Sequence, residues 1–403
     1  MYKNHTRKEK NMQNNIPFNS ADILLPKGGF DKWAVVACDQ FTSQRDYWEK
    51  VYDIVENFHS TGYLILPEAY LGDESDHSVE KINKTMEEYL GGDIFNEYKD
   101  AMIFVERTLP NGSIRYGIVG AVDLEEYDYS KNSKSQIRAT EGTVIERIPP
   151  RVAIRKDASI ELPHIMVLFD DPKKTVIESV KEDVKQKVYE AELMLGGGHI
   201  KGYLLTKEQQ KKVTDALCAI RADVPEDGVF LAVGDGNHSL ATAKECYRLD
   251  PTPLKRYALV ELVNVHDDAL EFEPIYRVLF DVDNADLKKA VAEAFASGKK
   301  TGTVVTENDT YTFSYDGLSA KAVQDFIDVY IASHPDVKVD YIHGEETVKE
   351  LGRKKNCAAF IFDGMDKSEL FPYVENNGAL PRKTFSMGEA ESKRYYFEAR
   401  RIK

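Results

Sequence analysis

A buried strand that passes through glycines straight into a helix constrains the fold of this chain most. The sequence there is VFLAVGDGNHSLATAKECYRL, residues 229–249. The apolar run VFLAV predicts a buried β-strand, and the spacing of Leu240, Ala243 and Tyr247 predicts a helix over residues 239–249. The next apolar run, YALVELVNV at residues 257–265, predicts another strand, so strand, helix and strand alternate here, which is typical of α/β and α+β proteins.

Strand and helix patterns alternate along the rest of the chain, which predicts an α+β fold, or mixed α/β, with mixed sheets. Asn111-Gly112 between two apolar runs predicts an antiparallel hairpin. Apolar residues three and four apart over residues 175–194 predict an amphipathic helix that the glycines at 196–198 end. These glycines lack the GxxxxGK[ST] spacing of a phosphate loop. Further strands are predicted at residues 33–37, 101–105, 114–122, 164–169, 257–265 and 357–362, and further helices at residues 45–58, 206–221 and 285–296.

The predicted organisation has four parts. Residues 1–20 are polar and rich in Lys and Asn, which predicts a mobile tail. Residues 21–150 are expected to form an N-terminal α/β part and residues 151–282 a central part. Residues 283–403 are expected to form a C-terminal α/β part that closes over the site.

Composition and charge exclude several classes of protein. The 403 residues carry a formal net charge of -15, so nucleic acid is not an expected partner. No apolar run reaches the ~18 residues of a transmembrane helix, and the basic, polar start has no apolar stretch of a secretory signal behind it. Cytoplasmic location is expected, since the four scattered cysteines form no CxxC pair; they are Cys38, Cys218, Cys246 and Cys357.

The turn within residues 229–249 groups polar side chains suited to chemistry. Glycine on either side of Asp235 permits tight backbone geometry and close approach of a ligand. The start of the helix offers unpaired N–H groups and the positive end of the helix dipole, which bind anions. The alternative is that Asp235 or Asn237 caps the helix and His238 is only a neighbour. The candidate phosphate ligands are Gly234, Gly236, Asn237 and Ser239, and the candidate catalytic groups are Asp235 and His238.

A second candidate segment is the long loop predicted over residues 123–163. The Pro149-Pro150 pair in it is expected to block a helix, and long loops in compact domains are often functional. Arg138 and Glu141 in this loop either clamp a polar ligand or form a local ion pair at a solvated surface, and the sequence leaves both open.

The strand–turn–helix segment resembles the family known as domain of unknown function 1015. That family usually shows Asp-Gly-His-His-Arg before a helix with alanines. Asp235, Gly236 and His238 match this motif, whereas Asn237 stands where the first His is usual and Ser239 where Arg is usual.

Other segments carry the same resemblance in the same order along nearly the whole chain. They are YGIVGAVDLEEY, RATEGT, RYALVELVNVHDDALEFEPIYRVL and GALPRKTF, with matches at Glu141, Thr143, Asp267, Pro274, Arg277, Pro381, Lys383 and Thr384. Tyr276 replaces a usual His, and the aromatic residues that usually follow the last segment are absent.

The same turn is similar to the signature of the ParB and sulfiredoxin superfamily, whose members use it to hold nucleotide phosphates. The resemblance implies a ParB/sulfiredoxin-like central unit and a phosphate pocket, with a nucleotide as the expected ligand. Phosphate bound there would in turn favour a magnesium ion held by carboxylates and the phosphate. Because Ser239 removes the usual Arg, another cation would have to bind the phosphate. The candidates are Arg277, Arg382 and Lys383.

These observations predict a protein that binds a nucleotide or another phosphate ligand, with a small-molecule phosphotransferase as the expected activity. One alternative is a non-catalytic module that binds a metabolite. The other is a metal-dependent hydrolase that uses Asp235, His238 and His266, in which Asp235 and His266 would be metal ligands. Substrate and oligomeric state are left open.

Overall fold

The computed structural model describes residues 16–72 and 78–403, which fold into two compact units. Unit 1 takes its residues from Met1–Leu270, Val374–Ala379 and Glu389–Lys403. Unit 2 takes its residues from Glu271–Tyr373 and Leu380–Gly388.

Unit 1 is built around a large mixed sheet. Its strands are β1 (Phe18–Asn19), β2 (Ala21–Pro26), β3 (Phe95–Ala101), β4 (Ile103–Thr108), β5 (Ile114–Asp123), β6 (Tyr127–Asp128), β7 (Ile137–Ala139), β8 (Ile160–Glu161), β9 (Met166–Phe169), β10 (Gln186–Leu193), β11 (Gly198–Leu204), β12 (Leu231–Asp235), β13 (Tyr257–Asn264) and β21 (Arg400–Arg401). Its helices are α1 (Phe30–Trp33), α2 (Arg45–Val55), α3 (Val79–Gly91), α4 (Ile148–Arg155), α5 (Glu178–Lys181), α6 (Lys207–Asp223) and α7 (Asn237–Leu249).

The middle strands of the central sheet of unit 1, β5, β13 and β9, are buried on both faces. The strand order of the sheet over the described residues is β10-β11-β4-β5-β13-β9-β12-β7-β6, with β1 also paired to β5. β13 and β9 are parallel, as are β12 and β7, whereas β9 and β12 are antiparallel. Successive side chains of a strand point to opposite faces, so Ile103 and Val105 enter one hydrophobic core and Phe104 the other. Apolar residues on both faces explain why these strands appear in the sequence as continuous apolar runs.

Unit 2 is built on an antiparallel sheet with the order β17-β16-β19-β15-β18 and has its own hydrophobic core. Its strands are β14 (Glu273–Pro274), β15 (Tyr276–Phe280), β16 (Lys300–Thr306), β17 (Thr310–Tyr315), β18 (Lys338–Ile342), β19 (Cys357–Ile361) and β20 (Phe385–Ser386). Its helices are α8 (Asn284–Ala294), α9 (Ser319–Ser333) and α10 (Glu345–Gly352), and α11 (Leu370–Asn377) follows in the chain. Leu287, Val323 and Val348 bring one helix each to this core.

The predicted α+β class with mixed sheets is confirmed. The Asn111-Gly112 hairpin is present, since β4 and β5 pair in antiparallel register from Ile103↔Val119 to Thr108↔Ile114. The helix predicted from residue 206 is α6, and a capping box between Thr206 and Gln209 begins it. No helix in the two described ranges is long and apolar enough to cross a membrane.

The helix predicted over residues 175–194 is wrong. The structure has only the short helix α5 there, followed by strand β10, in which the buried Tyr189, Ala191 and Leu193 alternate with exposed residues. The apolar residues fitted a helical spacing and a strand spacing at once, and sheet pairing decided between the two. The glycines at 196–198 therefore do not end an α-helix, because Gly196 and Gly197 lie in the connection between β10 and β11 and Gly198 begins β11.

Two further local predictions are wrong. Pro149 and Pro150 do not prevent a helix but occupy the first turn of α4, where a missing N–H costs no hydrogen bond. Residues 33–37 are buried as predicted, but α1 ends at Trp33, and Val36 makes an isolated bridge to Tyr395 instead of joining a strand.

The predicted parts compare with the units as follows. The predicted tail lies outside the described residues as far as residue 15, and its end is ordered, because Phe18 is buried and pairs with Val122. The predicted boundary at residue 150 falls inside unit 1, whose central sheet takes strands from both sides of it. The ParB/sulfiredoxin-like character of residues 151–282 stays a prediction.

Candidate functional site

The candidate site lies at one edge of the central sheet of unit 1. β7 and β12 are parallel, with Val233 opposite Ala139, so the chain leaves both strands at the same edge. β9 is antiparallel to β12, with Met166 opposite Asp235, so β9 begins at that edge. We call this place the β7–β12 edge; it is formed by residues 140–144, 234–239 and 164–165. Ligands of open mixed sheets commonly bind beyond the carboxyl ends of strands, where loops of this kind meet.

The turn after β12 requires glycine at Gly236 for two reasons. Its φ of 76° lies in the left-handed region, and a Cβ there would meet the Cα of Ile165 at 3.0 Å. Helix α7 begins at Asn237, two residues earlier than the start predicted at residue 239. His238 and Ser239 therefore belong to the first turn of this helix.

The capping alternative is wrong. Helix α7 has glycine at its N-cap and, in the part of the chain that the structure describes, no side chain caps it. The Oδ1 atom of Asp235 accepts a hydrogen bond from the backbone N–H of Gly236 at 2.9 Å, outside the helix. The first turn of α7 therefore keeps the donor character of an uncapped helix start.

The loop over residues 140–144 is fastened to this turn. The hydroxyl of Thr140 donates to the carbonyl oxygen of Val233 at 2.6 Å. The backbone N–H of Val144 donates to Nε2 of His238 at 3.1 Å. Because Nε2 accepts this bond, neutral His238 carries its proton on Nδ1. Helix α4 follows this loop and contacts α7, which holds the two segments together.

Two buried polar atoms at the β7–β12 edge have no hydrogen-bond partner among the described residues. They are Oδ1 of Asn237, in the first turn of α7, and Oγ1 of Thr143, in the loop. The Asn237 residue is only 9% exposed. An unsatisfied buried polar group costs about 1–3 kcal/mol, so two of them in neighbouring segments require an explanation.

A cation that sequence reasoning missed reaches the same edge. Nζ of Lys393 lies 3.3 Å from Oδ2 of Asp235, and the lysine side chain is only 12% exposed. Lys393 belongs to the C-terminal segment Glu389–Lys403 of unit 1 and lies far from the turn in sequence. No local pattern in the sequence marks it.

A second acid–base pair, Asp39 and His164, also was not predicted. Nε2 of His164 lies 3.8 Å from Oδ2 of Asp39, and its Nδ1 lies 2.7 Å from the hydroxyl of Tyr396. His164 directly precedes Ile165, the residue against which Gly236 packs. The signal for Asp39 was its place directly after a buried apolar run, as a polar residue at the end of such a run often lines a site.

Electrostatics keep Asp39 ionised. Burial by itself would raise the pKa of the Asp39 carboxyl, but His164, the Gln40 amide and Lys393 together hold it below its usual value of 3.8. The adjacent Cys38 behaves in the opposite way, since burial and the negative Asp39 raise the pKa of its thiol to about 12. Cys38 is therefore a neutral thiol and not a nucleophile.

The predicted metal pair does not come together. β13 runs parallel to β9, with Asn264 opposite Phe169, so β13 ends at the sheet edge opposite Asp235. There Nε2 of His266 lies 2.7 Å from Oδ1 of Asp170. In the described residues, no group of three metal-ligating side chains with ligand atoms within 4.8 Å of one another includes Asp235 or His266. The sequence placed both residues after strands but did not give the direction of those strands.

Arg138 and Glu141 occupy different settings. Arg138 is buried, and its guanidinium donates to the backbone carbonyls of Ser135 and Asp227. Burial lowers the pKa of Arg138, partly offset by nearby carboxylates. Glu141 lies half-buried in the loop of the β7–β12 edge, two residues before Thr143.

The three predicted phosphate cations belong to unit 2. Arg277 is fully buried in β15, and its Nη1 donates to the backbone carbonyl of Lys383 at 2.9 Å while Nε donates to Gln324 at 3.1 Å. Burial lowers the pKa of Arg277 to about 10, partly offset by Tyr341. Arg382 and Lys383 are exposed on the same unit. Arg277 thus holds the 380–388 segment of its own unit in place.

The comparison with protein families gives a clear result. The family model described as "Protein of unknown function (DUF1015)" matches residues 17–330, which is more than half of the chain. The chain therefore belongs to this family. No protein with curated annotation matches the sequence.

Several solved structures are similar at low identity. A free serine kinase in complex with AMP is 11% identical with a TM-score of 0.37, covering 66% of this chain and 85% of that chain. SbnI with a C-terminal truncation, from Staphylococcus aureus, is 10% identical with a TM-score of 0.36, covering 67% and 83%. A conserved hypothetical protein from Pyrococcus furiosus is 11% identical with a TM-score of 0.34, covering 66% and 88%. Similarity at this level does not assign an activity.

Proposed function

We propose that unit 1 binds a phosphate-bearing small molecule, with a nucleotide as the expected ligand, at the β7–β12 edge and acts as a small-molecule phosphotransferase. The observation that carries this proposal is the pair of buried, unpartnered polar atoms on Asn237 and Thr143. A ligand that formed hydrogen bonds with both atoms would remove the free-energy cost of leaving them unsatisfied.

The start of α7 supports an anionic ligand. The helix has 13 residues, its N-cap is a glycine, and its first turn directs backbone N–H groups and the positive end of the dipole to this edge. The amide of Asn237 can present either its oxygen or its nitrogen after a half-turn, so it can accept from a ligand hydroxyl or donate to a phosphate oxygen. The Thr143 hydroxyl can donate as well.

Lys393 supports phosphate as the anion. Ser239 stands where the motif usually has Arg. Lys393, which lies beside Asp235, supplies a positive charge at this edge instead. It already pairs with Asp235, so a phosphate would share this lysine with the carboxylate. Magnesium is expected to accompany the nucleotide, because the carboxylate of Asp235 lies at this edge and would repel an unaccompanied phosphate.

Isothermal titration of the purified protein tests the proposal. ATP, ADP, AMP and inorganic phosphate are titrated separately, each with and without magnesium. At least one nucleotide should bind with a Kd below about 1 mM, a standard free energy of about -4 kcal/mol. Binding of inorganic phosphate alone would identify the anion site without a nucleoside pocket.

Two lysine variants make the test specific. Lys393→Met should weaken nucleotide binding about tenfold or more, because it removes the phosphate cation. Lys174→Met is the matched control, since Lys174 pairs with Asp268 at 2.9 Å in the segments that follow β9 and β13, at the opposite edge of the sheet. Equal binding by both variants, or no binding of any probe to the unaltered protein, would contradict the proposal.

A further inference from the structure

The groups predicted as catalytic are already occupied. Oδ1 of Asp235 accepts from the Gly236 N–H at 2.9 Å, and its Oδ2 lies 3.3 Å from the Lys393 ammonium. Nε2 of His238 accepts from the Val144 N–H at 3.1 Å. A group that accepts a proton from a substrate must have a lone pair directed at that substrate. His238 uses its one acceptor nitrogen to hold the loop, and each carboxylate oxygen of Asp235 is already engaged, Oδ1 by the turn and Oδ2 by Lys393.

Tyr396 contacts both the backbone of Cys38 and the ring of His164. The Tyr396 hydroxyl accepts from the backbone N–H of Cys38 at 3.1 Å. Its oxygen also lies 2.7 Å from Nδ1 of His164, and Tyr396 donates in one tautomer of His164 and accepts in the other. In the tautomer in which Tyr396 donates, neutral His164 carries its proton on Nε2, the nitrogen that faces Asp39, and the assignment below takes this tautomer.

The Asp39 carboxylate remains accessible. Its Oδ1 accepts from the Gln40 amide at 2.9 Å, but its Oδ2 lies 3.8 Å from Nε2 of His164, beyond hydrogen-bond distance. The Asp39 side chain is 32% exposed. Other charged groups that act on this pair are Lys393, which stabilises the Asp39 anion, and Arg151, which acts on the neighbouring Cys38.

We propose that Asp39 is the catalytic base of this site and that His164 is its positioning residue. The inference rests on the proposed function. An acceptor hydroxyl, or water, gives its proton to Oδ2 of Asp39 as its oxygen forms a bond to the terminal phosphorus of the nucleotide. The bond from that phosphorus to the bridging oxygen breaks, and the leaving nucleotide, ADP from ATP or AMP from ADP, keeps the electron pair on that oxygen. His164, whose Nε2 lies 3.8 Å from Oδ2, orients the carboxylate electrostatically and not through a direct hydrogen bond.

Hydrolysis of ATP and ADP, with magnesium and with water as the acceptor, tests this assignment. Asp39→Asn keeps the size of the side chain, so its Kd for the nucleotide should stay within about threefold of the unaltered protein. Its kcat should fall by a factor of about 100 or more, the usual contribution of a general base. Asp235→Asn is the comparison variant, and it should change the Kd for the nucleotide more than it changes kcat. Circular dichroism confirms that each variant is folded.

The role of His164 has its own readout. ¹⁵N NMR of the histidines should show the proton of His164 on Nε2, and Tyr396→Phe should remove this preference, whereas Asp39→Asn should preserve it. His164→Gln should lower kcat with little change in KM.

The outcomes separate the two proposals. Normal turnover by Asp39→Asn, equal losses of binding and turnover in that variant, or nucleotide binding without any turnover by the unaltered protein would overturn the assignment of the base while leaving the binding proposal standing. Absence of nucleotide binding to the unaltered protein would overturn the proposed function, and the base with it.

Discussion

Lys393 and Arg394 are consecutive residues whose charged groups lie in opposite settings. Lys393 reaches the β7–β12 edge, where it pairs with the partly exposed Asp235. Arg394 points into the interior of unit 1, where it bonds to Glu261 at 2.7 Å and to Glu398 at 2.5 Å, and all three side chains are at most 3% exposed. Tyr189 donates a further hydrogen bond to Glu398. One short C-terminal segment therefore serves both a sealed ion network and an accessible site.

The difference between the two regions lies in exposure to solvent and in charge balance, because Nε of Arg394 and Oε1 of Glu261 in the sealed network also have no hydrogen-bond partner among the described residues. In the sealed network, burial would lower the pKa of Arg394, but Glu398 and Glu261 hold it above its usual value, so the arginine stays charged. At the β7–β12 edge, Asn237 and Thr143 keep unpartnered atoms, and the Asp39–His164 pair is too long for a hydrogen bond. The first arrangement balances buried charges, whereas the second places unpartnered polar atoms near the partly exposed carboxylates of Asp39 and Asp235, where a ligand can contact them.

The largest expected effect comes from breaking the sealed network. Arg394→Met should lower the free energy of unfolding by about 3–5 kcal/mol, because it leaves Glu261 and Glu398 buried without a countercharge. Urea unfolding of unit 1 measures this loss. Lys393→Met should lower it by about 1 kcal/mol or less, because its pair is partly solvated. Similar losses in the two variants would remove the distinction between the regions.

The next effect isolates the geometry of the turn. Gly236→Ala should lower the free energy of unfolding by about 2–3 kcal/mol, since alanine is strained at positive φ and its Cβ would also press on Ile165. Gly29→Ala is the matched control. Gly29 is likewise an N-cap glycine, with a φ of 68°, but a Cβ there would meet nothing within 4 Å. Gly29→Ala should lower the free energy of unfolding by about 1 kcal/mol. Equal costs would show that the close approach of β9 to the turn does not matter.

The sequence predicts local structure in this protein better than it predicts contacts between distant segments. The strand–glycine–helix unit and the Asn111-Gly112 hairpin follow from contiguous residues, so they could be predicted. Residues 175–194 could not, because their apolar spacing fits a helix and a strand equally well until β10 pairs with β11.

The candidate site was predictable only in its central turn. Asp235, Asn237 and His238 lie within four consecutive residues, so the sequence alone shows them together. Asp39, His164 and Lys393 reach the same edge through three different segments, and their convergence depends on sheet order and on the C-terminal segment. His266 was wrongly placed beside Asp235. A polar residue after a strand indicates a position in the fold only when the direction of that strand is known.

A smaller effect comes from a second buried ion group, in which Glu161 pairs with Arg400 at 2.5 Å and also with Arg155. Burial by itself would raise the pKa of Glu161, but Arg400 and Arg155 hold it below its usual value of 4.5. The unfolded chain therefore takes up the proton first as pH falls. The stability contributed by Glu161 is complete above pH 4.5 and declines below it, by at most about 1.4 kcal/mol per pH unit.

Urea unfolding of the unaltered protein and of Glu161→Gln, from pH 7 down to pH 3.5, measures this contribution. The variant should be less stable at pH 7 and should show a weaker dependence on pH below 4.5. Parallel curves for the two proteins would mean that Glu161 titrates in the folded protein as it does in the unfolded chain.

Two threonines of the same loop test the central claim most directly, because one hydroxyl is satisfied and the other is not. Thr140→Val removes the bond to the Val233 carbonyl and should lower the free energy of unfolding by about 1 kcal/mol while leaving nucleotide affinity nearly unchanged. Thr143→Val removes a hydroxyl that has no partner in the described residues. It should leave stability unchanged or slightly higher and weaken binding of the best nucleotide in the titration series about tenfold. A loss of stability in Thr143→Val with full nucleotide affinity would contradict the account of this edge as a ligand site.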